Sequence, residues 1–108
     1  MIKDLNLRKA EAIASLVAIG RRSGDTVVGL STLRRTKNLT MILADESLAL
    51  RTFNELEVLT KDGSGVFRLT DILSLTSRFG REDIRVIGIV KGSLANGILK
   101  KLEIFEEL

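Results

Sequence analysis

The sequence has no histidine, cysteine, proline, tryptophan or tyrosine, and only four phenylalanines among its 108 residues. Each absence excludes a class of function. Without cysteine there is no disulfide framework, no thiolate nucleophile and no zinc ribbon. Without histidine there is no Ser-His or Cys-His pair and no imidazole metal ligand. Without tryptophan or tyrosine there is no broad stacking platform of the single-strand-binding type. The apolar runs fall far short of the roughly 18 residues that a membrane span needs. The first residues alternate charge (Lys3, Asp4, Arg8, Lys9, Glu11), unlike a signal peptide. The expectation is one soluble, cytoplasmic domain over 1–108, large enough for its own core, with no metal, no cofactor and no enzymatic activity.

What is present is unevenly charged. Seventeen basic and fourteen acidic residues give a net charge of +3. Residues 1–40 hold eight bases against three acids, a net of +5, and Glu103 to Leu108 hold three acids and no base, a net of −3. A basic first portion points to an anionic partner, which the acidic end partly hides in the total. Arg21-Arg22 is explained by the dipole at a helix C-terminus. Arg34-Arg35-Lys37 has no acid near it in sequence, so it is the better candidate for an anion-binding patch.

Hydrophobic spacing gives the elements. Asn6 caps a helix over 7–22, with Leu7, Ala10, Ala14, Val17 and Ala18 on one side and Gly24 as its stop. Thr26–Val28 is a short strand ended by Gly29. Ser31–Thr36 is a short helix with Ser31 near its cap. Leu39–Ala44 (LTMILA) reads as a buried central strand. Asp45-Glu46-Ser47 opens the next helix, placing acids where the dipole favours them. Asp62-Gly63-Ser64-Gly65 is a plain turn; it lacks the Gly-Lys-Ser/Thr end of a phosphate loop. A strand follows at Val66–Leu69, a helix capped by Thr70 runs to Phe79, and Ile84–Val90 is a second buried strand. Gly92-Ser93 leads into the last helix. The order αβαβαβαβα predicts one sheet covered by helices on both faces.

Ile19-Gly20-Arg21-Arg22-Ser23-Gly24 with Val27-Val28-Gly29, the strand Leu39–Asp45, and Ile84–Val90 followed by GSLANGILKKL carry a family likeness. In this order they resemble the bacterial kink-turn-binding ribosomal proteins of the L-seven-Ae / L-thirty-e superfamily. The resemblance covers roughly residues 12–102. It implies an α/β fold, a three-layer α/β/α sandwich with a mixed four-stranded sheet, and a function in binding RNA. Carried over, the RNA-binding residues are Gly29, Leu30, Ser31 and Thr32 with Arg34, Arg35 and Lys37, and Lys91, Gly92, Ser93 and Leu94. The chemistry suits that role: arginines take phosphates bidentately, Lys91 adds a point charge, and Leu94 would pack on an exposed base.

One departure falls on the recognition element. Strong kink-turn binders carry Asn-Glu or Gly-Glu at the start of the second helix, and this sequence has Gly29-Leu30. Leucine accepts no hydrogen bond from a base edge. Two readings follow: a non-enzymatic protein for structured RNA, ribosomal or other, or a protein-interaction module that kept the fold and lost the RNA site. The acidic, amphipathic end from Leu102 to Leu108 would then serve a protein partner or a homodimer through the C-terminal helix.

Overall fold

The computed structural model describes the backbone of residues 2–80 and 83–107, and their side chains up to residue 103. Five strands form one sheet in the order β1-β4-β3-β5-β2: β1 is Ile2–Leu5, β2 Thr26–Val28, β3 Leu39–Asp45, β4 Gly65–Leu69 and β5 Val86–Val90. The two pairs β1/β4 and β4/β3 are parallel; β5 runs antiparallel to both β3 and β2. The helices are α1 (Leu7–Ser23), α2 (Leu30–Arg35), α3 (Leu50–Leu59), α4 (Leu73–Thr76, continued by a 3-10 turn at Ser77–Phe79) and α5 (Ser93–Glu107). The α/β sandwich is as expected, but the sheet has five strands rather than four, because Ile2–Leu5 adds an edge strand before the first helix.

The central strand shows why the layers form. Along β3 the side chains alternate: Met41 and Leu43 enter one core, Ile42 and Ala44 the other. The first core is closed by α1, α4 and α5 through Ile13, Val17, Leu75 and Ile98. The second is closed by α2 and α3 through Leu33, Phe53 and Leu56. Buried on both faces, β3 therefore reads as a continuous apolar run. The α1 ends match the sequence reading. Asn6 Oδ1 accepts from the Lys9 amide at 2.9 Å, and Gly24 closes the helix at φ 91°.

Four boundaries differ from the reading, each for a local reason. Ser31 lies inside α2 and not at its cap, because Gly29 at φ 89° turns the chain earlier and α2 starts at Leu30. Asp45 does not open a helix; it ends β3 and accepts hydrogen bonds from the Ser47 amide and hydroxyl. That side-chain turn competes with helix formation, so α3 starts only after Ala49. Thr70 caps nothing. Asp45 Oδ1 accepts from the Ile72 amide at 3.3 Å and Asp71 Oδ1 from the Leu73 amide at 3.1 Å, and α4 starts only at Leu73. Ile84 is buried but precedes β5, which starts at Val86. Among the described residues no helix is long and apolar enough to cross a membrane. Glu103 is exposed, whereas the Glu106, Glu107 and Leu108 side chains expected to meet a partner lie outside the described residues.

Candidate nucleic-acid interface

Strand direction decides which loops can share a site. Strands β1 to β4 run one way and β5 runs back. The loops that follow β1–β4, with the segment entering β5, therefore lie at one end, called upper below. The loops that enter β2, β3 and β4, with the loop leaving β5, lie at the lower end. The seven-residue β3 separates the ends by about 20 Å.

Gly29 is at the upper end. Its φ of 89° is the left-handed range that favours glycine, and nothing lies within 4 Å of where a Cβ would sit. Its amide donates to the Val86 carbonyl at 3.1 Å. The turn therefore faces the segment entering β5, not the loop leaving it. Together they line an open cleft of about 210 Å³, walled by Val28, Leu30, Leu48 and Ile84 and rimmed by Thr52, Asp83 and Arg85. Ser31 and Thr32, in the first turn of α2, stand beside it.

The expected second region is elsewhere. Lys91, Gly92 and Ser93 are exposed at the lower end, where the Lys91 amide donates to the Asn38 carbonyl at 2.8 Å. Leu94 is half-buried and packs on the core of α1, α4 and α5, against Gly20 and Thr26. The structure thus divides the predicted residues into two groups. Arg35 and Lys37 leave the far end of α2 and lie toward Lys91, while Gly29, Leu30, Ser31 and Thr32 remain above.

Arg34 also has a different setting from the one its sequence suggests. Its Nε and Nη2 donate to both oxygens of Glu55 on α3, at 2.6 and 3.0 Å. The hydrogen bond and the charge of Arg34 hold the Glu55 carboxyl below its ordinary value, and Glu55 raises Arg34 in turn. The partner lies 21 residues away, so no local scan of the chain finds it. A second exposed pair, Arg68 to Asp4 at 2.7 Å, ties β4 to β1. Two further groups escape the sequence reading. Asp83 to Val86 would follow from pairing 26–28 with 86–90 in antiparallel register. Lys61 is brought to the lower end by the α3–β4 loop.

No protein-family model and no curated protein matches the chain. Solved structures do. A Giardia lamblia 15.5kD RNA binding protein superposes with a TM-score of 0.68 at 14% identity, covering 95% of this chain and 92% of that one. A Bacillus halodurans protein of unknown function gives 0.64 at 12% identity, over 84% and 96%. An rRNA methyltransferase from Sinorhizobium meliloti gives 0.56 at 12% identity, covering 85% of this chain but 38% of the enzyme. At these identities the likeness is one of fold: this α/β/α sandwich is shared by an RNA-binding protein and by part of an enzyme that acts on rRNA.

Proposed function

We propose that the chain is a non-enzymatic RNA-binding protein for structured, kink-turn-like RNA, of the kind that ribosomal proteins of the L-seven-Ae / L-thirty-e type represent. The observation that carries this reading is the upper cleft. Its apolar walls (Leu30, Leu48, Ile84) suit the face of a nucleobase turned out of a stack, and its rim (Thr52, Asp83, Arg85) suits a base edge and a phosphate. A single-stranded platform would need exposed aromatics, and among the described residues Phe53 and Phe67 are buried and Phe79 is half-buried. The end-to-end likeness to the Giardia RNA binding protein supports the same reading. With Leu30 at the start of α2, the RNA is held by shape and by the turned-out base, not by a carboxylate on a guanine edge.

Fluorescence anisotropy with a kink-turn RNA and an unstructured RNA of equal length, at two salt concentrations, tests this. The kink-turn RNA binds more tightly by about tenfold or more, and Leu30→Asp, which puts a negative charge at the cleft, removes most of that difference. Equal, weak binding to both RNAs refutes it. A second reading, a protein-interaction module on the same fold, is favoured by Leu30 itself and by Leu50 on α3, which is 73% exposed. A protein partner retained after nuclease treatment would support that alternative.

A further inference from the structure

The lower end carries a second groove, of about 280 Å³, between the loops entering β3 and β4 and the loop leaving β5. Lys61, Lys91, Asn38, Thr40, Thr36 and Asp62 supply its polar lining, with Lys37 adjacent in the chain. Lys37, Lys61 and Lys91 are exposed, and none has an ion-pair or side-chain hydrogen-bond partner among the described residues. The helix dipole does not account for all three. Lys91 stands just before the N-terminus of α5, where the dipole disfavours a cation. The loops are locked into place by backbone contacts. Ser64 N donates to Thr40 O at 2.6 Å, and a Cβ on Gly63 would meet Thr40 O at 2.5 Å, so the loop holding Lys61 lies directly on β3. Asn38 sits at φ 64°, in the left-handed range that asparagine tolerates.

We infer that this groove is a second RNA site, which takes the ribose-phosphate backbone, with Lys37, Lys61 and Lys91 on phosphates and Asn38 and Thr40 on ribose 2′-hydroxyls. The chemistry of the lining selects that ligand. Three point charges without partners suit phosphates but carry no base preference. A 2′-hydroxyl both donates and accepts, as do the Asn38 amide and the Thr40 hydroxyl beside the lysines. Asp62 opposes a phosphate but accepts from a hydroxyl. Exposed Val58 and half-buried Leu59 offer an apolar surface to the sugar, and no aromatic lines the groove on which a base would stack. The inference shares with the proposed function only that the ligand is RNA. The two sites lie at opposite ends of β3, so an RNA that fills both must reach across the sheet by about 20 Å.

The test is anisotropy on the full chain with a labelled RNA stem-loop and the DNA stem-loop of the same sequence, over a range of salt. Replacing Lys37, Lys61 and Lys91 by alanine lowers RNA affinity at least about tenfold at low salt, and the log–log salt slope flattens by about 0.7–0.9 for each phosphate no longer neutralised. Asn38→Gly keeps the left-handed backbone and removes the amide, and Thr40→Val removes only the hydroxyl. Together they weaken RNA binding about three- to tenfold and leave DNA binding unchanged. An unchanged salt slope in the lysine variant overturns the inference. So does an equal loss for RNA and DNA in the Asn38→Gly/Thr40→Val variant. Displacement of the RNA by polyglutamate as readily as by unlabelled RNA reassigns the groove to an acidic protein segment. Leu30→Asp reports on the upper cleft alone: if it has no effect while the lysine variant does, the upper site falls and the lower one stands.

Discussion

Gly20→Ala sets two opposing effects against each other at one buried point. Gly20 lies in α1, where alanine is the better helix former by about 1 kcal/mol. Propensity alone therefore predicts a more stable protein. The packing predicts the reverse. A Cβ on Gly20 would stand 2.2 Å from Leu94 Cδ2 and 2.2 Å from Thr26 Oγ1, well inside the roughly 3.5–4.0 Å of a favourable carbon contact. Leu94 is a flexible chain end and can yield. Thr26 is fully buried and β-branched, so it has little rotamer freedom with which to yield. Overpacking costs about 1–3 kcal/mol, and two contacts as short as 2.2 Å put this site in the upper part of that range, above the propensity gain. The expected net loss is about 1–2 kcal/mol, or a fall in Tm of about 5–10 °C for a domain of this size. Urea denaturation followed by circular dichroism measures it. Thr26→Ala in the Gly20→Ala background should recover part of the loss, with a coupling of about 0.5 kcal/mol or more. A more stable Gly20→Ala protein with no coupling to position 26 would refute the proposed packing of α1 on β2 and α5.

Among the described residues Thr26 Oγ1 is buried without a hydrogen-bond partner, so Thr26→Val should raise stability by about 1 kcal/mol in the same denaturation assay. Burial pushes the Asp45 carboxyl up, but hydrogen bonds from Ser47 and Ile72 and the charge of Arg85 outweigh it, so its net shift is downward. Ionised Asp45 thus favours the folded state; the contribution is complete above its unfolded pKa of about 3.9 and is lost as pH falls through the lower folded value. Asp45→Asn should therefore cost about 1 kcal/mol at pH 7, with the gap from wild type closing in denaturation curves taken at more acidic pH. Because Arg34 is held by Glu55 across α2 and α3, Arg34→Ala should change RNA affinity by less than about twofold in the anisotropy titration.

The fold is largely legible in the sequence because its signals are local or periodic. LTMILA reads as a two-faced strand, Asn6 and Gly24 bracket a helix, and glycines mark the turns at 29, 63 and 80. Ile2–Leu5 escapes that reading because two of its four residues are charged and its pairing partner, β4, lies more than sixty residues on. The site is only half legible. The positions of Gly29 and Lys91 can be read from the chain, but their separation follows from the antiparallel course of β5, which places Val86 beside Gly29 and Lys91 beside Asn38. Arg34 looks unpaired in sequence because Glu55 approaches it through tertiary packing. Leu94 looks available because the space it fills is set by the absent side chain of Gly20 on another helix.

Amide chemical-shift mapping during titration with a kink-turn RNA locates the contacts along the chain. RNA binding through the two ends of the sheet predicts shifts in residues 28–32 and 83–86, and in 37–40, 61–64 and 91. Shifts confined to the outer faces of α1 and α5, or no shifts at RNA concentrations that saturate a known kink-turn binder, would contradict it.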